Sequence, residues 1–314
     1  MPEQVERPEA QRDAGPEGDF GRLSAGERGV PAPPPRPGVR DIPFTGASEF
    51  LRALSTAHEL FSEDPPGWIY RGQANANWEL KAKAIRNSAA LNAFGVSGAF
   101  EGHSDLHGLL RDFRKRLDRA GIIIPGPHPA IDHRDQAAQG SRRDAYPTPE
   151  VRPIMALAQH HGLPTLLLDW TTRSQVAGYF AAVEAANPQT VDRGTHLALW
   201  ALYIPMPFRE SAGAHEVPLY RPPAGTNPNL RAQSGLFTLP SQLGEDMPSI
   251  EQHVCRLLSA TGGTLPLLRL TLPSTEAPKL LRLLAYEGID GSSMFPGPDG
   301  VVRAMREVVL WDRV

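Results

Sequence analysis

Cysteine is almost missing from this chain. Cys255 stands alone, so no internal disulfide can form and no Cys-rich zinc site can be assembled. A reducing, cytoplasmic setting is the expectation. Long apolar runs are missing too: none approaches 18 residues, and the stretch from Met1 to Gly38 contains no apolar segment of the secretory kind. No membrane association is therefore expected. Nor does charge of one sign prevail. The 32 Lys and Arg against 35 Asp and Glu leave a net charge of -3, which supplies no overall positive field for nucleic acid or anionic lipid. Neither G-x-x-x-x-G-K-[ST] nor G-x-G-x-x-G occurs, which removes the common phosphate-cradling loops.

Proline is plentiful, at 32 residues. Pro31, Pro33, Pro34, Pro35 and Pro37 fall within residues 1–41, a low-complexity stretch expected to be a disordered tail with polyproline II character. Its functional reading is a docking arm for a proline-binding partner; its plain reading is a solvated tail. Residues 42–314 read as a single domain, and the chain's 40% hydrophobic content suffices for one core. Apolar periodicity predicts helices over 48–61, 103–119, 174–186, 249–258, 277–286 and 299–310, with another ending near 161. Strands are predicted over 68–72, 165–169, 195–204, 216–220, 236–239 and 265–272. Helices and strands mix without regular βαβ alternation. That favours an α+β fold with a mixed, largely antiparallel central sheet and flanking helices. Residues 125–149 lack periodicity and read as a mobile loop. Its His128, Asp132, His133 and Asp135 match no ligand spacing, so no metal is expected.

Three stretches carry side chains suited to chemistry. Tyr70-Arg71-Gly72-Gln73 ends a strand. A guanidinium there can hold a phosphate or carboxylate through its planar fork, or serve as a structural ion-pair partner. Gly72 permits close approach of a ligand or a second backbone. Ala158 to Thr171 is denser: a helix runs through His160-His161 into Gly162-Leu163-Pro164, then an apolar strand exits at Asp169-Trp170-Thr171. Asp169 could orient His160, as in a hydrolytic pair, or cap the helix near Ser174. No Gly-x-Ser-x-Gly elbow supports hydrolysis. The third stretch, Arg231-Ala232-Gln233-Ser234-Gly235-Leu236-Phe237, places two donor-rich side chains before a glycine and a strand.

In combination and order these stretches resemble the FRG domain family, named for a (Phe/Tyr)-Arg-Gly motif. The resemblance rests on Tyr70-Arg71-Gly72-Gln73, Trp78-Glu79-Leu80, Arg86, Ala158 to Thr165, Leu167 to Thr171, Tyr179-Phe180-Ala181 and Arg231 to Thr238. It extends over about 42–306. Leu166 stands where the family pattern often carries arginine. The layout is also similar to that of ADP-ribosyltransferases, with a split central sheet. That similarity implies an NAD-using enzyme, acting on an unknown macromolecular acceptor as a toxin or defence effector. The alternative is a non-catalytic nucleotide- or partner-binding module using the same cleft. The resemblance implies Arg71, His160, Asp169 and Gln233 as catalytic candidates. It implies Tyr70, Arg71, Gly72, Gln73, Thr165, Thr171, Tyr179 and Phe237 as contacts for NAD or another nucleotide-type ligand. Cleavage of the nicotinamide–ribose bond calls for a carboxylate, whereas Gln233 is an amide; either another acid such as Asp169 supplies the charge, with Glu307 a further candidate whose helical context beside Met305 suggests a surface role, or the site binds without turnover.

Overall fold

The computed structural model describes residues 30–86, 88–96, 103–124, 147, 150–187, 189, 194–204, 217–223, 225, 227–239, 248–261 and 267–311. Residues 1–29 of the expected tail, and all of the expected 125–149 loop except Pro147, lie outside that set. Elements follow in the order Val39–Pro43 (β1), Ala47–Ala53 (α1), Trp68–Gln73 (β2), Lys83–Arg86 (α2), Ser88–Asn92 (α3), His103–Arg119 (α4), Arg152–His160 (α5), Leu168–Thr171 (β3) and Ser174–Ala185 (α6). They continue with His196–Tyr203 (β4), Leu219–Tyr220 (β5), Pro228–Ala232 (α7), Gly235–Thr238 (β6), Ile250–Thr261 (α8), Leu267–Pro273 (β7), Ala277–Tyr286 (α9), Gly291–Met294 (α10) and Pro298–Trp311 (α11).

The strands form one seven-stranded sheet in the order β1-β7-β4-β2-β3-β6-β5. Only β1 and β7 run parallel; the other neighbours are antiparallel, so the fold is the mixed, mostly antiparallel α+β type expected. β4, with the sequence HLALWALY, is buried everywhere except Tyr203, as a central strand covered on both faces must be. One face packs under α1, α6 and α9 through Phe50, Tyr70, Ala177, Leu199 and Leu281. The other gathers Ile69, Trp170, Trp200 and Val254. α6 can lie directly on β2 because of one glycine. A Cβ on Gly72 would stand 1.9 Å from the Ala177 carbonyl oxygen, so the close approach that Gly72 permits is that of a second backbone.

One seam in the sheet is shorter than the others. β2 joins β4 from Trp68↔Tyr203 to Gln73↔Ala198, and β3 joins β6 from Leu168↔Thr238 to Thr171↔Gly235. Between β2 and β3 the register contains the single pair Tyr70↔Thr171. Beyond that pair the two halves of the sheet part, and the split opens a cleft.

Several boundaries differ from those the periodicity predicts. The first helix ends at Ala53, and the remainder to Phe61 forms turns. The strand expected from 165 begins at Leu168. Before it, Thr165 bonds Gln159 through its hydroxyl and accepts from the Leu167 amide at 3.2 Å, while Gln159 Nε2 donates to the Leu167 carbonyl at 3.2 Å. These side chains satisfy the backbone that a ladder would otherwise take. β1 begins three residues inside the expected tail, and the segment before it lies on the domain. Buried Arg269 donates to Asp41 at 2.6 Å and to the Pro34 carbonyl at 2.7 Å, and Arg36 pairs with Glu251. The Arg36 and Arg269 guanidinium carbons stand 5.4 and 5.5 Å from the Trp200 ring centroid. No helix among the described residues is long and apolar enough to cross a membrane.

Candidate functional site

The split leads into a cavity of about 960 Å³, bounded by β2, β3, β6, α5, α6 and residues 219–223. Arg71 follows buried Tyr70 on β2, and its side chain reaches across to β3. Its Nη1 donates to the Asp169 carbonyl at 2.9 Å and lies 3.6 Å from Asp169 Oδ2. The Asp169 side chain is 59% exposed, the Arg71 side chain only 11%. The ion pair is therefore long and half in solvent, whereas the guanidinium is not. Arg71 Nε is buried and has no partner among the described residues. Burial lowers the Arg71 pKa from the usual guanidinium range. Asp169 and Glu184 oppose that shift and nearby Arg86 adds to it. A guanidinium stays charged in proteins regardless, so the cleft holds a buried cation with an unused donor.

Tyr70 adds a second unused group. It is 1% exposed and meets Phe61 edge-on at 5.2 Å, yet its hydroxyl has no partner among the described residues. Burial raises its pKa well above the ordinary phenol range. Thr171, by contrast, is fully engaged. Its hydroxyl donates to the Gln233 carbonyl at 2.7 Å and accepts from the Arg173 amide at 3.0 Å, fastening β3 to the turn between α7 and β6. In that turn Ser234 adopts φ 49, a left-handed conformation uncommon for serine. Gln233 Nε2 donates to the Met294 carbonyl at 3.1 Å, so its amide is held.

The cavity brings together eight of the candidates: Tyr70, Arg71, Gly72, His160, Asp169, Thr171, Gln233 and Phe237. Three others lie elsewhere. Buried Gln73 accepts from Trp200 Nε1 at 2.8 Å, Thr165 holds the turn before β3, and Tyr179 donates to buried Glu307 at 2.6 Å. His160 is exposed at the rim, edge-on to His161, with Asn229 Nδ2 3.5 Å from its Nε2. Burial and His161 lower its pKa. Among the described residues His160 and Asp169 line the same cavity without a hydrogen bond between them. Glu307, whose place beside Met305 suggests a surface role, is 3% exposed.

Glu184 was not legible as a site residue. It lines the cavity from α6, as do Phe180 and Ala177 one and two turns earlier. That helical spacing was the available signal. Burial of its carboxyl raises its pKa, and Arg86 and Arg71 pull it back. On the opposite wall Phe237 stacks with Tyr220 at 6.4 Å and 22°. Among the described residues no group of three or more His, Cys, Asp or Glu could hold a metal ion.

Residues 66–190 match the family model of the FRG domain. That span encloses β2, α5, β3 and α6 and leaves Gln233 and Phe237 outside it. No curated protein and no solved structure matches the chain.

Proposed function

We infer, for a chain whose residues 66–190 are an FRG domain, that the cleft binds a phosphate-bearing nucleotide, with Arg71 as the group that receives the phosphate. The observation that carries this reading is the buried Arg71 guanidinium at a cavity wall, its Nε unpartnered among the described residues. An unmade hydrogen bond of this kind costs about 1–3 kcal/mol, more when charged, and a bound anion would recover it. A volume near 960 Å³ lies at the upper end of ordinary ligand cavities. Phe180 on one wall and the Phe237–Tyr220 stack on the other supply apolar faces for rings.

NAD is the first ligand to test, and turnover is the second reading. It draws support from Asp169 and Glu184, two carboxyl groups in the same cavity as Arg71. When the nicotinamide–ribose bond breaks, its electron pair leaves with nicotinamide, and the positive charge left on the sugar needs a nearby carboxylate. Asp169 takes that role in this reading and Gln233 does not, because Gln233 is neutral and its amide is held by Met294. An acceptor macromolecule, or water, would take the ADP-ribosyl group. A toxin or defence role would follow only from turnover.

Titration calorimetry with NAD and with ADP-ribose, alongside mass spectrometry for released nicotinamide, separates these readings. Binding of both nucleotides, weakened at least tenfold in Arg71→Lys, supports the cleft assignment. Released nicotinamide that disappears in Asp169→Asn adds the transferase reading. Binding without release leaves a binding module. Absence of binding to either nucleotide at millimolar concentration sinks the proposal.

A further inference from the structure

α11 is amphipathic in the reverse sense. Its inward face carries Gly300, Ala304 and Glu307, followed at its end by Leu310 and Trp311 against the core, and its outward face carries Val301, Val302, Met305, Val308 and Val309. The inward face is built for close contact. A Cβ on Gly300 would stand 1.8 Å from the Phe295 carbonyl oxygen, and Glu307 accepts from Tyr179 at 2.6 Å and the Gly291 amide at 2.9 Å. These contacts fix the rotation of the helix and leave the apolar residues outside. Met305 is 66% exposed, and the four valines are 43–55% exposed. Valine is a poor helix former, so an exposed run of it serves neither local structure nor solvation.

The pattern itself identifies the occupant. Val301-Val302-x-x-Met305-x-x-Val308-Val309 reads the same in both directions about Met305. Two antiparallel copies related by a two-fold axis at Met305 place Val301 against Val309, Val302 against Val308 and Met305 against itself. This is the self-complementarity that an isologous interface requires. We propose that the protein forms a two-fold homodimer through α11, with Met305 on the axis. The five side chains expose on the order of 400 Å² per copy, within the range of functional apolar patches. The apolar centre of a dimer would then bury about 800 Å², and the rim around Arg303 and Arg306 would carry the total toward the roughly 1,200 Å² at which stable interfaces begin. Antiparallel helices also oppose their dipoles favourably.

The test uses the full chain, sedimentation equilibrium and two charge variants. The wild type should sediment as a dimer at micromolar concentration. Met305→Glu and Met305→Lys should each sediment as monomers, because like charges meet at the axis, and an equimolar mixture should recover a heterodimer. Unchanged circular dichroism and melting behaviour in dilute solution would show that each variant folds. A wild type that stays monomeric at 200 µM (on the order of the upper limit for a biological dimer) overturns the proposal. So do single variants that remain dimeric, and so does a mixture that fails to associate.

Discussion

Replacing Tyr70 with phenylalanine removes one oxygen atom and nothing else. The ring is 1% exposed and held against Phe61, so it keeps its packing, and the hydroxyl it loses has no partner among the described residues to leave behind. A buried hydroxyl without a hydrogen bond costs about 1–3 kcal/mol. The small gap left by the oxygen returns part of that, so Tyr70→Phe should stabilise the free protein by about 0.5–1.5 kcal/mol. Urea denaturation at constant slope would read the change directly, and the melting point should rise by roughly 2–4 °C per kcal/mol for a domain of this size. If a nucleotide uses the hydroxyl, the same variant should bind NAD about 5–10-fold more weakly. Stability and affinity would then move in opposite directions. A loss of stability above about 1 kcal/mol would refute the reasoning, because it would mean that the hydroxyl is already satisfied in the free protein.

Gly72→Ala should cost more than about 3 kcal/mol, since its methyl would meet the Ala177 carbonyl oxygen; chemical denaturation, or failure to purify a folded chain, reads this. Glu307→Leu should destabilise by about 2–4 kcal/mol, because the Tyr179 hydroxyl and the Gly291 amide both lose their buried acceptor; thermal melting checks it. Asp290 caps α10, accepting from the Ser293 amide at 2.9 Å and from Ser292 Oγ at 2.7 Å. Burial alone would raise its pKa, but the bonds from Ser292 and Ser293 outweigh burial and hold it below the usual carboxylate range. With the folded value below the unfolded one, the cap contributes fully above about pH 4 and is lost as pH falls through the folded value. Denaturation at pH 5 and pH 3 should show a drop that is smaller in Asp290→Asn.

Much of the architecture was legible in the sequence because it follows from apolar period. Residues 103–119 and 277–286 are helical with the predicted bounds, and the buried run of β4 declares a central strand. β1 was hidden. Val-Arg-Asp-Ile-Pro neither alternates cleanly nor stands apart from the prolines before it, and its strand conformation comes from parallel pairing with β7. The short helices α7 and α10 depend on local caps: the Leu230 amide donates to the Asn227 side chain, and Asp290 and Ser293 form a reciprocal capping box. Within the site, motif residues were visible, but not which of them are already spent. Gln73, Thr165 and Tyr179 look like ligand donors in one dimension and are consumed by Trp200, Gln159 and Glu307 in three. α11 shows the same limit in reverse. Its apolar stripe suggests an inward face, yet Glu307, Gly300 and Ala304 take that position because they bond and pack there.

The most direct test concerns the Arg71 Nε–H group. Assigned through its loss in Arg71→Lys, its ¹⁵N–¹H signal should be visible in the free protein, slowed in exchange by burial, and should move downfield when NAD or ADP-ribose is added as a phosphate oxygen accepts from it. A signal that stays in place while either nucleotide saturates the protein would contradict the account, because the ligand would then be bound without the guanidinium.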